Sequence, residues 1–144
     1  MTIFRFYNAH IVDPSQSIDG TGYIDIADGK ISELQLGNPA KNDTVDILTD
    51  CDGAVLAPGI VDMRVQSADP GAEHLESLST LLAAAAKGGI TALACLPNTR
   101  PVIDEASAID SLCLRASRID GARLSAYGAA TKGLLGAEMA ELGL

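Results

Sequence analysis

A chain of 144 residues holds one ordinary domain and a modest core, and 47% hydrophobic against 20% charged residues excludes intrinsic disorder. The formal net charge of −9 argues against nucleic acid as a partner, because phosphate binding needs clustered Lys and Arg. The longest apolar run, residues 81–86 (LLAAAA), is far shorter than the roughly 20 residues of a membrane span.

Aromatics make up only 3% of the chain, so Ala, Leu, Ile and Val must build the core. The opening MTIFRFYNAH has neither an extended apolar segment nor a small-residue cleavage site, so no secretory signal is read there. Cys51, Cys95 and Cys113 are widely spaced and lack a C-x-x-C pair. That pattern argues against disulfides and structural zinc, and it fits a reducing cytoplasm.

Residues 1–56 read as a small antiparallel, sandwich-like β-subdomain. Residues 2–7 alternate, and residues 8–14 (NAHIVDP) lead into a turn. GYIDIA (22–27) is a strand, Asp28-Gly29 is a tight hairpin signal, and residues 30–36 form the returning strand. Residues 37–44 are loop-like, and residues 45–48 suit another short strand.

After Gly53 the pattern changes. Residues 54–65 read as a buried strand interrupted by Pro58-Gly59. Residues 72–87 have helical composition, with Glu73 and Glu76 placed to complement the helix dipole and Gly88-Gly89 to end the helix. Residues 90–96 form a continuous apolar run, as expected of a parallel strand covered on both faces. Residues 104–118 predict a second helix with Asp104 as N-cap, residues 124–129 a third strand, and residues 136–142 the start of another helix. Strand–helix–strand–helix–strand makes two right-handed βαβ units, about three-eighths of a (β/α)₈ barrel. Chemistry in such barrels sits at the C-terminal strand ends. Candidates are therefore residues 62–71, 97–99 and 131–133.

APGIVDMRVQSADPGAEHLESLSTLLAAAAKGGITALACLPNTRPVID (57–104) resembles the dihydroorotases of the amidohydrolase superfamily. Those enzymes typically read PG-[FIL]-[IV]-D-x-H-x-H-x-R-E-P-G, then a helix ending in GG, then T-x-x-x-x-M-P-N-T-x-P. The opening strands with DGKI resemble the family's N-terminal β-subdomain, and TKGLLGAEMAELGL (131–144) resembles the segment before its bridging metal ligand. Hydantoinases and allantoinases share the first motif but fit the PNT segment less well. The resemblance covers essentially the whole chain. It implies a partial (β/α)₈ (TIM) barrel of the metal-dependent amidohydrolase type over residues 57–144, after the β-subdomain of residues 1–56.

The departures fall on the residues that carry the chemistry. Arg64 and Gln66 stand where the family has its two metal-binding histidines, and Ala68 replaces the arginine that grips the substrate carboxylate. Asp69 stands where Glu is usual, while Asp62, Pro70, Gly71, Pro97, Asn98 and Thr99 match. Guanidinium has five donors, no acceptor and a pKa above about 12, so Arg64 cannot ligate zinc. Gln66 offers at most a carbonyl oxygen, a weak zinc ligand beside imidazole. Without the two histidines, water is not activated toward hydroxide there.

Arg64 and Gln66 are thus vestigial metal positions, Ala68 and Asn98 vestigial substrate positions, and neither zinc nor any other cofactor is expected. Arg64 is either a surface arginine or a fixed positive charge in a vacated metal pocket, paired with carboxylates. Asn98 reads as a turn residue. His74 suits a helix-start position, His10 belongs to the opening sheet, Cys95 is core, and Lys132 is an ordinary exposed lysine after a strand.

The resemblance implies a catalytically inactive dihydroorotase homologue of de novo pyrimidine synthesis. It would be cytoplasmic and homo- or hetero-oligomeric, with the catalytic subunit of aspartate transcarbamoylase as partner and no contact with nucleic acid or membrane. The alternative is an active dihydroorotase or related cyclic-amide hydrolase with an atypical metal site. A third reading is a fragment of a longer chain, since the family's remaining ligands would lie beyond Leu144.

Overall fold

The computed structural model describes residues 2–39 and 45–141. Its contacts divide into two units, Met1–Pro58 and Gly59–Leu144.

The first unit is a single sheet of β1 (Ile3–Asp13), β2 (Ile18–Ala27), β3 (Lys30–Leu36), β4 (Ile47–Asp50) and β5 (Val55–Leu56). Strand order is β3-β2-β1-β4, with β5 also on β1. β1–β2 and β2–β3 are antiparallel, whereas β4 and β5 run parallel to β1. Asp28 and Gly29 both take positive φ, +50° and +73°, which closes the tight turn between Ala27 and Lys30 with a twist that suits paired strands. β1 does not stop at Asn8 as residues 8–14 suggested. A register shift between Phe6 and Ala9, with Asn8 at φ +55°, absorbs the irregularity as a bulge. The turn comes later, where the Asp13 carboxylate accepts hydrogen bonds from the Ser15 amide and hydroxyl and from Gln16.

Ala9, Ile11 and Ile24 form the small core of this sheet. A buried Arg5 donates to both oxygens of Asp25 at 2.7 Å and stacks 4.2 Å from the Tyr23 ring centroid. The fourth strand begins two residues later than residue 45. Most of the loop at 37–44 lies outside the described residues.

The second unit is a parallel sheet, β6 (Ile60–Val65), β7 (Ile90–Cys95) and β8 (Arg123–Ala126), in the order β6-β7-β8. Helices α1 (Leu78–Lys87) and α2 (Ala106–Ala116) connect the strands, giving β6-α1-β7-α2-β8. Leu78, Leu82, Leu93, Cys95, Ile103, Leu112 and Leu124 make the core.

Several sequence-based boundaries are corrected. Residues 54–65 are two strands in different sheets, and β6 is not buried: Ile60, Val61 and Met63 are 59–66% exposed. The reason is topological, because β6 is an edge strand with β7 as its one partner among the described residues. On central β7, Leu93 and Cys95 are buried, but Ile90, Ala92 and Ala94 are only half-buried and Thr91 is exposed. Covering on both faces is therefore incomplete.

Helix α1 starts at Leu78, not Ala72. Ser77 caps it, accepting from the Thr80 amide while the Thr80 hydroxyl accepts from the Ser77 amide. That reciprocal pair outcompetes the weaker signal of Glu73 and Glu76. Helix α2 begins after Glu105, and Asp104 instead accepts from the Gly133 amide at 2.7 Å. β8 is shorter than residues 124–129. No helix forms over residues 136–141; the chain makes one 3₁₀ turn at Lys132–Leu134, and Gly133 and Gly136 at positive φ break any longer helix. Leu142 lies outside the described residues.

Candidate functional site at the C-terminal strand ends

The loops that follow β6, β7 and β8 are stitched to one another by backbone hydrogen bonds. Leu96 N donates to Val65 O, Arg100 N to Pro70 O and Ala129 N to Ile103 O, while Ile103 N donates to Pro97 O within the β7 loop, all at 2.7–3.1 Å. Thr99, buried, donates its hydroxyl to Pro101 O at 2.7 Å. The PNT turn is thus a self-satisfied corner, and Asn98 at its tip is exposed.

Arg64 stands near the end of β6 and Gln66 just past it, both exposed; Ala68 is half-buried. The expected pairing of the Arg64 guanidinium with carboxylates is not formed among the described residues. The neighbouring acid, Asp62, uses its carboxylate to accept from the Arg64 backbone amide at 3.0 Å. Edge position explains this: an exposed guanidinium is satisfied by water and needs no partner. His74 is exposed, and His10 lies 2.8 Å from Asp19 in the first sheet. Lys132 is paired with Glu138. Cys95 is fully buried, and burial pushes its thiol up to about 11, so it is core and not a nucleophile.

Sequence reasoning missed the residue that organises the first loop. Asp69 was noted only as a substitute for Glu, yet it is buried and takes two hydrogen bonds from Arg115 Nη2, at 2.7 and 2.8 Å. Leu78 N, at the start of α1, reaches the same carboxylate at 3.4 Å. A buried carboxylate requires a cation, and Arg115 in the last turn of α2 was a candidate within the same βαβαβ unit. Beside Asp69, Gly71 N donates to Glu73, and that bond holds the Glu73 carboxyl below its ordinary range. A cleft of about 390 Å³ lies by the third loop, lined by Asp104, Glu105, Ser107, Lys132 and Glu141. Its polar groups are already engaged in part, Asp104 with Gly133 and Lys132 with Glu138.

Residues 53–142 match the family model described as dihydro-orotase-like. The chain belongs to that family. It is 39% identical over 133 residues to a dihydroorotase of Citrifermentans bemidjiense, covering 92% of this chain and 31% of that relative. A dihydroorotase of Geotalea daltonii is 39% identical over 144 residues, covering 99% of this chain and 33% of the relative. The chain therefore spans about a third of the length of these relatives. Among solved structures, the L-hydantoinase (dihydropyrimidinase) of Arthrobacter aurescens superposes with a TM-score of 0.73 at 22% identity, covering 91% of this chain and 28% of that one. A dihydroorotase structure gives 0.58 at 18% identity, with 92% and 32% covered. These likenesses establish a mixed α/β fold with neighbours in the amidohydrolase superfamily.

Zinc does not fit the residues of this dihydro-orotase-like chain at the end of β6. Tetrahedral zinc takes lone pairs from imidazole, thiolate or carboxylate, and Arg64 supplies none. Asp62, two residues away, offers a carboxylate whose Oδ1 accepts from the Arg64 backbone amide, and one carboxylate does not make a tetrahedral site.

Proposed function

We propose that this chain carries the first three β/α units of an amidohydrolase-type (β/α)₈ barrel in a dihydroorotase-like protein that has lost catalysis. Its role is structural, in de novo pyrimidine synthesis in the cytoplasm, as a partner of the aspartate transcarbamoylase catalytic subunit. The observation that carries the reading is Arg64 on β6, a permanent cation where the motif resemblance puts the family's first metal-binding histidine. The unbroken parallel order β6-β7-β8, with a helix after each of the first two strands, supports the barrel assignment. Three free cysteines support a reducing compartment.

The test combines metal analysis, a ring-opening assay and co-purification on the full chain expressed with aspartate transcarbamoylase. Expected are substoichiometric zinc, no hydrolysis of dihydroorotate and a stable complex. Stoichiometric zinc together with ring opening overturns the loss of catalysis, and failure to co-purify overturns the partnership.

A further inference from the structure

We propose that Arg115 is a positioning residue that latches the loop after β6 in place, acting through Asp69. The inference goes beyond the functional proposal, because it concerns how the loop is held whether or not it serves chemistry.

Asp69 is 3% exposed, and its carboxylate meets three elements at once. It belongs to the β6 loop, it accepts from Leu78 N at the start of α1, and it takes both short bonds from Arg115 in the last turn of α2. The Leu78 bond, at 3.4 Å, is long. Arg115 is thus the one cation that offsets burial of this charge among the described residues.

The loop's further anchors divide unevenly along it. Its distal half is held independently, by Arg100 N to Pro70 O and by the close approach of Gly71 to Arg100. Among the described residues, its proximal half, which carries Gln66 and Ala68, has bonds internal to the loop alone: the Asp69 amide donates to Ser67 Oγ, the Ser67 hydroxyl donates to Asp69 O, and Ala72 N donates to Ala68 O. Those internal bonds shape the proximal half without tying it to the helices. The Asp69–Arg115 pair supplies that tie. Without Arg115, a buried carboxylate keeps one weak partner, and the chain relieves it by opening residues 66–70 and the first turn of α1 toward water.

The experiment is amide hydrogen exchange on the full chain, peptide by peptide, for Arg115→Ala, Arg115→Lys and the neutral pair Asp69→Asn/Arg115→Gln. Arg115→Ala is expected to speed exchange across residues 66–80 roughly tenfold or more, with β7 amides unchanged. Arg115→Lys should retain part of the protection, since one charge persists without the planar fork. The neutral pair should exchange more slowly than Arg115→Ala, because the unpaired charge is gone. Unchanged loop exchange in Arg115→Ala overturns the latch. Uniform acceleration through the whole unit overturns it as well, as does a neutral pair that exchanges as fast as the single variant.

Discussion

Gly71 lies so close to the backbone of Arg100 that a Cβ at Gly71 would stand 2.0 Å from the Arg100 carbonyl oxygen. Gly71 also takes φ +105°, where a side chain is strained whatever the space. The two loops at the strand ends therefore pack as backbone on backbone. Gly71→Ala should cost roughly 2–4 kcal/mol, read as a lowered urea midpoint with unchanged slope. Gly29→Ala is the control: φ is +73° but no atom lies within 4 Å, so about 1 kcal/mol is expected.

Arg64 is exposed and its side chain unpaired among the described residues, so Arg64→Ala should change stability by no more than about 0.5 kcal/mol. A charge locked in a pocket would cost several times more, and urea unfolding separates the two. The double variant Arg64→His/Gln66→His should take up zinc above the level of the unaltered chain, measured by equilibrium dialysis and metal analysis. Equal uptake would mean that the end of β6 is not a metal position at all.

Cys95 should resist alkylation in the folded chain while Cys51 and Cys113 react, because it is fully buried whereas they are partly open. Burial also raises its thiol from an ordinary 9.0 to about 11. The unfolded chain ionises this thiol first, so the stabilisation is complete below pH 9 and is lost as pH rises through 11. Roughly 3 kcal/mol should disappear over that window. Chemical denaturation at pH 8 and above pH 11 measures it, with Cys95→Ala lacking that component.

In the first unit, Asp25→Ala leaves Arg5 charged, buried and short of its bidentate partner. A loss of about 3 kcal/mol is expected in thermal or urea unfolding. The double variant Arg5→Met/Asp25→Leu should recover most of it. No recovery would show that the sheet needs the ion pair for its register.

Local signals were legible where one residue type decides the geometry. Asp28-Gly29 announced its hairpin because few residues tolerate two successive positive φ values, and Lys30–Leu36 follows at the expected bounds. Gly88-Gly89 likewise marked the end of α1. The failures were competitions. Ser77 and Thr80 captured the helix start from the acidic residues before it, and two glycines suppressed a helical composition after Lys132. Asp69 and Arg115 are 46 positions apart, and only the folding of α2 back onto the β6 loop brings them together. Family likeness drew attention to Arg64 and Gln66, but their exposure was not legible, since burial of a strand depends on its neighbours.

That exposure gives the charges of β6 another consequence. Ile60, Val61, Met63 and Val65 are the four apolar positions of six-residue β6, whose one side carries no partner strand among the described residues, the kind of edge onto which a foreign strand can add. Asp62 and Arg64 interrupt it with one charge of each sign. A second β6 brought alongside in parallel register would set like charges against each other, Asp62 beside Asp62 and Arg64 beside Arg64. Among the described residues, Asp62 and Arg64 thus act as gatekeepers on β6, making its unpaired side a poor template for addition of a like strand.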